Sequence, residues 1–247
     1  MRILVLNPNT TAAVTERIAA AARAAAALGT EIVAVTAPRG LPYIANRAEA
    51  VLGGAIALEL LAEHHDGVDA AVIAAFGDPA LGGARELFDI PIVGMTEAGL
   101  LTACMLGRTY AIVTFSPGLV SWYRECIEWH GLERRCVAIR ALDARVASLA
   151  DVQDEHRAAL VALANRTAAE DGADVIVFSG APLSGLAAQV RDQISVPVVD
   201  CAAAALKQAE ALAALKPRKP EIGSFRRPPA KSSTGLPPSL ARWLARE

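Results

Sequence analysis

Short apolar runs rich in β-branched residues alternate with longer Ala/Leu-rich segments along this 247-residue chain, and that alternation restricts its fold more than any other feature. Eight runs read as strands: "RILVLN" (2–7), "EIVAVTA" (31–37), "DAAVIAAF" (69–76), "IPIVG" (90–94), "TYAIVT" (109–114), "CVAIRAL" (136–142), "DVIVFS" (174–179) and "VPVVD" (196–200). They are apolar along nearly their whole length, as strands covered on both faces must be. Helical patterns over 10–28, 48–65, 151–171 and 201–215 lie between them. The class this predicts is α/β, with mainly parallel sheets flanked by helices and joined by right-handed crossovers.

Two junctions echo each other. Residues 72–81 read "VIAAFGDPAL" and residues 175–185 read "VIVFSGAPLSG": an apolar run, a break at Gly, then Pro two places on. The repetition predicts two pseudo-symmetric lobes facing one cleft. The first lobe is expected over 1–96 plus 205–247 and the second over 97–204. Residues 216–240, rich in Pro and basic side chains, read as a tail wrapping the surface.

Composition excludes several functions. A formal charge of −2 offers nothing to nucleic acid or an acidic membrane. No apolar run reaches the ~18–20 residues that span a bilayer, and the opening lacks a signal peptide's apolar region, so a cytoplasmic protein is expected. Cys104, Cys126, Cys136 and Cys201 form no CxxC and no cluster with histidine, and read as packed thiols rather than metal ligands or disulfides. His64, His65, His130 and His156 fall in helical stretches without ligand spacing. No glycine-rich nucleotide loop and no GxSxG elbow follows a strand. Neither cofactor nor metal is expected.

Ligands of open α/β sheets bind beyond the carboxyl ends of strands. There the chain repeats a polar residue before proline, as in Asn7-Pro8, Asp78-Pro79 and Ser116-Pro117. Such pairs start helices, with Asp78 and Ser116 as caps, Asn9 or Thr10 capping the first helix, and Thr96 capping one from Glu97. Several helix N-termini at one crevice would present unpaired N–H groups to a carboxylate or a cyclic imide.

The pieces "ILVLNPNTT", "AAFGDPAL", "IPIVGMTEA" (90–98), "GRTYAIVT" (107–114), "VPVVDCAAAALKQAEAL" (196–212) and the tail "FRRPPAKSSTGLPPSLAR" resemble the Asp/Glu/hydantoin racemase superfamily, in particular its hydantoin and allantoin racemase branch. The resemblance covers essentially the whole chain. It implies two pseudo-symmetric lobes with the active site between them, a homo-oligomer, and a loop over the site that holds Tyr43, Asn46 and Arg47. It also implies one cysteine from each lobe, the two thiols serving as base and acid on opposite faces of an acidic carbon. Those positions are Ala75 and Gly180 here.

Without that pair, the expected function is cysteine-independent, metal-free chemistry on a small hydantoin-like, thiohydantoin or amino-dicarboxylate compound, foremost hydrolysis or desulfuration. The alternatives are a racemase or isomerase with other bases, and a non-catalytic binding protein for small anions. Asp78, Glu97, Ser116 and Ser179 are the candidate acids, bases or water-orienters, with Asp78 first as base. Asn9, Thr10, Tyr43, Arg47, Phe76, Gly77, Thr114, Gly180 and Ala181 are the candidate ligand contacts. Trp122 and Tyr123 read as core or subunit interface.

Overall fold

The computed structural model describes residues 1–144 and 148–246. The first half contains β1 (Arg2–Asn7), α1 (Ala12–Ala25), β2 (Glu31–Thr36), α2 (Arg47–His64), β3 (Ala70–Ile73), α3 (Leu81–Leu87) and β4 (Ile92–Gly94), followed by α4 (Met95–Leu106). The second contains β5 (Tyr110–Thr114), α5 (Val120–Trp129), β6 (Cys136–Ala141), α6 (Val152–Asp171), β7 (Val175–Phe178), α7 (Leu186–Val190) and β8 (Val198–Asp200). Two further helices, α8 (Cys201–Leu215) and α9 (Pro238–Ala245), end the chain. All strand pairings are parallel, in two four-stranded sheets ordered β2-β1-β3-β4 and β6-β5-β7-β8. The same order in both sheets is the structural form of the sequence echo.

Each expected strand forms; of the inner ones, β3, β5 and β7 are buried at every position and β1 at all but its first, which is why they read as unbroken apolar runs. The edge strands β2 and β6 are only half-buried. Strand β3 stops three residues short of the expected 69–76, because Gly77 (φ 107°), Asp78 (φ 46°) and Ala80 (φ 64°) turn the backbone into the left-handed region. Gly180 (φ 110°) does the same beyond β7.

The helices that follow β4 and β8 exchange sides. α4 packs on β7 and β8, α8 packs on β3 and β4, and the two helices pack on each other. Their contact is close at Gly99, where a Cβ would stand 2.5 Å from Cys201 Sγ. One apolar core therefore runs through both sheets, from Ile3, Val5 and Val72 to Ile112 and Val177. The tail crosses back over the first sheet's helices: Lys219 Nζ donates to the Phe88 carbonyl (2.9 Å), and α9 packs on α2. Among the described residues, no helix is long and apolar enough to cross a membrane.

Several expected caps are differently placed. α3 begins at Leu81, not Pro79, with Ala80 left-handed before it, so Asp78 does not cap its own helix. α4 begins at Met95 after Gly94 rather than at Glu97, and Thr96 lies inside it. α1 follows Thr11, and neither Asn9 nor Thr10 is its cap. Ser116 precedes a single 3₁₀ turn, and its hydroxyl makes no capping bond.

Candidate active site

The carboxyl ends of β1, β3, β5 and β7, the two inner strands of each sheet, lead into segments that meet around one small cavity. It is lined by Asn9 beyond β1, Ala75 and Phe76 beyond β3, Tyr123 on α5, Gly180 and Ala181 beyond β7, and Tyr43 and Ile44 from the loop between β2 and α2. Its volume of about 10 Å³ is room for a single water. As it stands the cavity is smaller than a ring-sized ligand. The loop between β2 and α2 is fastened to the β1 junction, where Thr10 N donates to Leu41 O (2.9 Å) and Thr11 Oγ1 to Pro42 O (2.6 Å).

The polar side chains of the lining are Asn9, Tyr43 and Tyr123. Asn9 Oδ1 accepts from Asn7 Nδ2 (3.0 Å) and Thr11 N (3.0 Å), which fixes the amide so that its NH₂ end is the one left for a ligand. The Tyr43 hydroxyl is buried without a well-oriented hydrogen-bond partner, and interacts with the Tyr123 hydroxyl. Tyr123 in turn meets Thr114, whose Oγ1 donates to Ser179 O (2.9 Å). Burial pushes both tyrosines well above the usual phenol range, so each holds its proton.

Gly180 explains how the second lobe closes the cavity. A Cβ there would stand 2.6 Å from Phe115 Cε1 and 3.3 Å from the Tyr123 hydroxyl. The space that a side chain at 180 would take holds an aromatic edge and a phenol. Ala75 faces the same cavity from the first lobe. Both positions to which the resemblance assigns thiols therefore lie at one cavity. None of the four cysteines lines it. Burial raises the Cys201 thiol strongly and the Cys126 thiol to about 12, which keeps them protonated and inert.

Of the expected ligand contacts, Asn9, Tyr43, Phe76, Gly180 and Ala181 line the cavity, and Thr114 stands behind Tyr123. Thr10, Gly77 and Arg47 do not. Gly77 lies beneath the Trp122 ring, which a Cβ would overlap, and its N–H donates to Thr96 Oγ1 (2.5 Å). Arg47 is exposed and forks onto Glu125 of α5, with Nε to Oε2 at 2.7 Å.

The expected acids and bases lie elsewhere. Asp78 is buried, with Oδ1 accepting from Thr96 N (2.8 Å) and Oδ2 from Glu97 N (2.8 Å) and facing His130 Nε2 (3.0 Å). Both carboxylate oxygens are occupied by the first turn of α4 and by the end of α5. Asp78 is thus the cap of α4, reaching across from the loop after β3. Gly94 is required beneath it, since a Cβ there would overlap the carboxylate. Glu97 is bonded by both terminal nitrogens of Arg85 (Nη1 to Oε1 3.0 Å); burial opposes its ionisation, but Arg85 holds its carboxyl below the usual range. Ser179 is fully buried beside the Cys201 thiol, and Ser116 lies outside the lining. Asp78 thus holds the start of α4 and is absent from the cavity lining. Tyr123, read as core or interface, is in the core at 1% exposure, and it also lines the cavity. Its signal was its position on the helix that follows the carboxyl end of β5.

A larger groove of about 560 Å³ between α1 and α7 is lined chiefly by alanines. Its one carboxylate, Asp200, caps α8 through Ala202 N and Ala203 N (both 3.0 Å). Among the described residues, no three His, Cys, Asp or Glu side chains gather as metal ligands.

Comparisons with known proteins match the geometry. Residues 3–209 fit the family model described as Asp/Glu/Hydantoin racemase. A hydantoin racemase from Paenarthrobacter aurescens is 36% identical over 235 residues, 94% of this chain and 99% of the relative. Allantoin racemase from Klebsiella pneumoniae superposes with a TM-score of 0.91 at 37% identity, covering 97% of this chain and 98% of that one. Allantoin racemase from Pseudomonas fluorescens gives 0.88 at 34% identity, over 95% and 100%. These relatives are racemases, not hydrolases or lyases. This chain belongs to the Asp/Glu/hydantoin racemase family.

Proposed function

We propose that this protein is a racemase or isomerase of a small hydantoin-type ring, with hydroxyls and water in the place of a thiol pair. The observation that carries this reading is the full-length likeness to hydantoin and allantoin racemases, with the cavity at the junction of the two lobes. Removing a proton from a carbon next to a carbonyl puts negative charge on the carbonyl oxygen. Neutral phenols and an amide NH₂ facing that oxygen stabilise the charge as it develops. Tyr43, whose hydroxyl has no well-oriented partner, is the direct donor; Tyr123 supports it, and Asn9 holds a second oxygen. Among the described residues no carboxylate, imidazole, amine or thiol lines the cavity, so water accepts the proton from one face and returns one to either. Loss of a positioned base costs about 10²–10⁴ in rate, so turnover slower than that of a thiol-pair enzyme is expected.

The test is proton NMR in deuterium oxide on single enantiomers of 5-substituted hydantoins and of allantoin. The expected result is loss of the ring C–H signal with no new compound, slowed about 10–10³-fold in Tyr43→Phe. A ring-opened or desulfurised product would refute the reading. A second reading, a binding protein without catalysis, is favoured by the lack of any ionisable base in the lining. It predicts saturable binding with no exchange.

A further inference from the structure

The C-terminal tail and the end of α2 build a second polar cleft, far from the cavity in chain position and composition. It has a volume of about 370 Å³ and is lined by His65, Asp66, Arg227, Ser239, Arg242 and Arg246, together with Ala62 and Trp243. Ser239, Arg242, Trp243 and Arg246 recur at three- and four-residue spacing on α9 and just past it, which puts all four on one face. Three guanidiniums therefore converge where one acidic side chain, Asp66, is present, and Asp66 is already engaged by His65 Nε2 at 3.1 Å.

The arginines are differently committed. Arg227 pairs with Asp89 at 2.5 Å and lies over the Trp243 ring, 4.8 Å from its centroid, which fixes its plane. Arg246 donates one bond to Pro228 O (2.5 Å). Arg242 forms no ion pair and no side-chain hydrogen bond among the described residues of the structure. On the cleft floor, the His65 ring is held edge-on against Trp243 (centroids 4.7 Å) and near Phe88 (5.8 Å), and its Nδ1 is buried with no hydrogen-bond partner. Arg242 and Arg246, which have no ion pair among the described residues, repel each other unless an anion joins them. The donors available to it are planar guanidinium N–H groups and the Ser239 hydroxyl at the first turn of α9.

We propose that this cleft binds a phosphate-type oxyanion, either inorganic phosphate or the phosphate group of a monoester. Arg242 and Arg246 supply the charge-assisted bonds and Ser239 adds a neutral one. The wall formed by Trp243 gives a monoester's organic part an apolar surface, so the two sources differ in affinity.

Isothermal titration of the full-length protein with inorganic phosphate, and separately with a nucleoside monophosphate, tests this at matched ionic strength against sodium chloride. The expected result is saturable one-to-one binding. Its Kd should rise about tenfold or more in Arg242→Gln, the loss of one charge-assisted bond, and stay unchanged in Arg218→Gln, a tail arginine outside the cleft. Because α9 carries Arg242, circular dichroism checks that the variant is folded. Ser239→Ala, a smaller change, should raise Kd more modestly. Tighter binding of the monophosphate would assign the site to an ester, and equal binding to free phosphate. Heat no different from that of chloride, or equal affinity in Arg242→Gln, would overturn the proposal. The site does not depend on the hydantoin reading: Tyr43→Phe leaves phosphate binding intact whether or not ring exchange is found.

Discussion

Placing a cysteine at position 180 is the obvious attempt to give this protein one of the thiols its family resemblance implies, and the structure predicts that it destabilises the fold. Two independent effects act there. The backbone sits at φ 110°, where a residue with a Cβ is strained by about 1–3 kcal/mol. The new Cβ would also lie 2.6 Å from Phe115 Cε1, and Phe115 is 1% exposed and packed against the Tyr43 ring (centroids 5.8 Å), so it has little room to yield. Overpacking of this kind costs about 1–3 kcal/mol. Together the expected loss for Gly180→Cys is about 2–6 kcal/mol, a large share of the ~5–15 kcal/mol typical of a folded domain. Gly180→Ala should lose nearly as much, because both effects act on the Cβ. Urea unfolding followed by far-UV circular dichroism measures it, with Ala75→Cys as comparison. Ala75 has no left-handed backbone and should accept Cys within about 1 kcal/mol. If Gly180→Cys matched the parent midpoint to within about 0.5 kcal/mol, the argument that Phe115 and the backbone together exclude a side chain at 180 would be wrong.

Other perturbations follow from the same geometry. Asp78→Asn should lower stability by about 2–4 kcal/mol, because an amide cannot accept from both Thr96 N and Glu97 N; a variant of unchanged stability that lost all turnover would instead restore Asp78 as a base. Gly94→Ala should be comparably harmful, read by the same unfolding curve, since its methyl would meet the Asp78 carboxylate. Glu97 has a depressed carboxyl when folded, so its contribution is present above the ordinary glutamate range and is lost as pH falls through the folded value. Arg85→Gln should therefore flatten the acid limb of stability between about pH 5 and the lower value, and an unchanged limb would count against the pair. Arg47→Ala should leave both the melting temperature and any substrate KM within error, because Arg47 is an exposed partner of Glu125 rather than a ligand contact.

Strand and helix placement was readable because fully buried parallel strands leave a continuous apolar signature, and all eight runs became strands. The duplicated junctions at 72–81 and 175–185 were equally readable as sequence. The structure gives them the equivalent positions after β3 and β7 that identical sheet orders require. Asn9, Tyr43, Phe76, Gly180 and Ala181 come together at one cavity because residues just past the carboxyl ends of inner strands, or on the loop beside them, have few places to go.

What the sequence determined, then, is the class of fold, the repetition within it and the segments that end at the site, since these depend on local periodicity and turn chemistry. What only the tertiary structure decided is where each polar side chain points. Asp78 precedes a proline as a cap should, yet its carboxylate serves α4, eighteen residues on, because the left-handed turn at 77–80 aims it there. Tyr123 has the spacing of an ordinary core residue, yet its hydroxyl reaches the cavity, because two sheets of the same order bring α5 of one against the β3 junction of the other. The direction of a side chain follows from neighbours distant in sequence, and no local pattern encodes it.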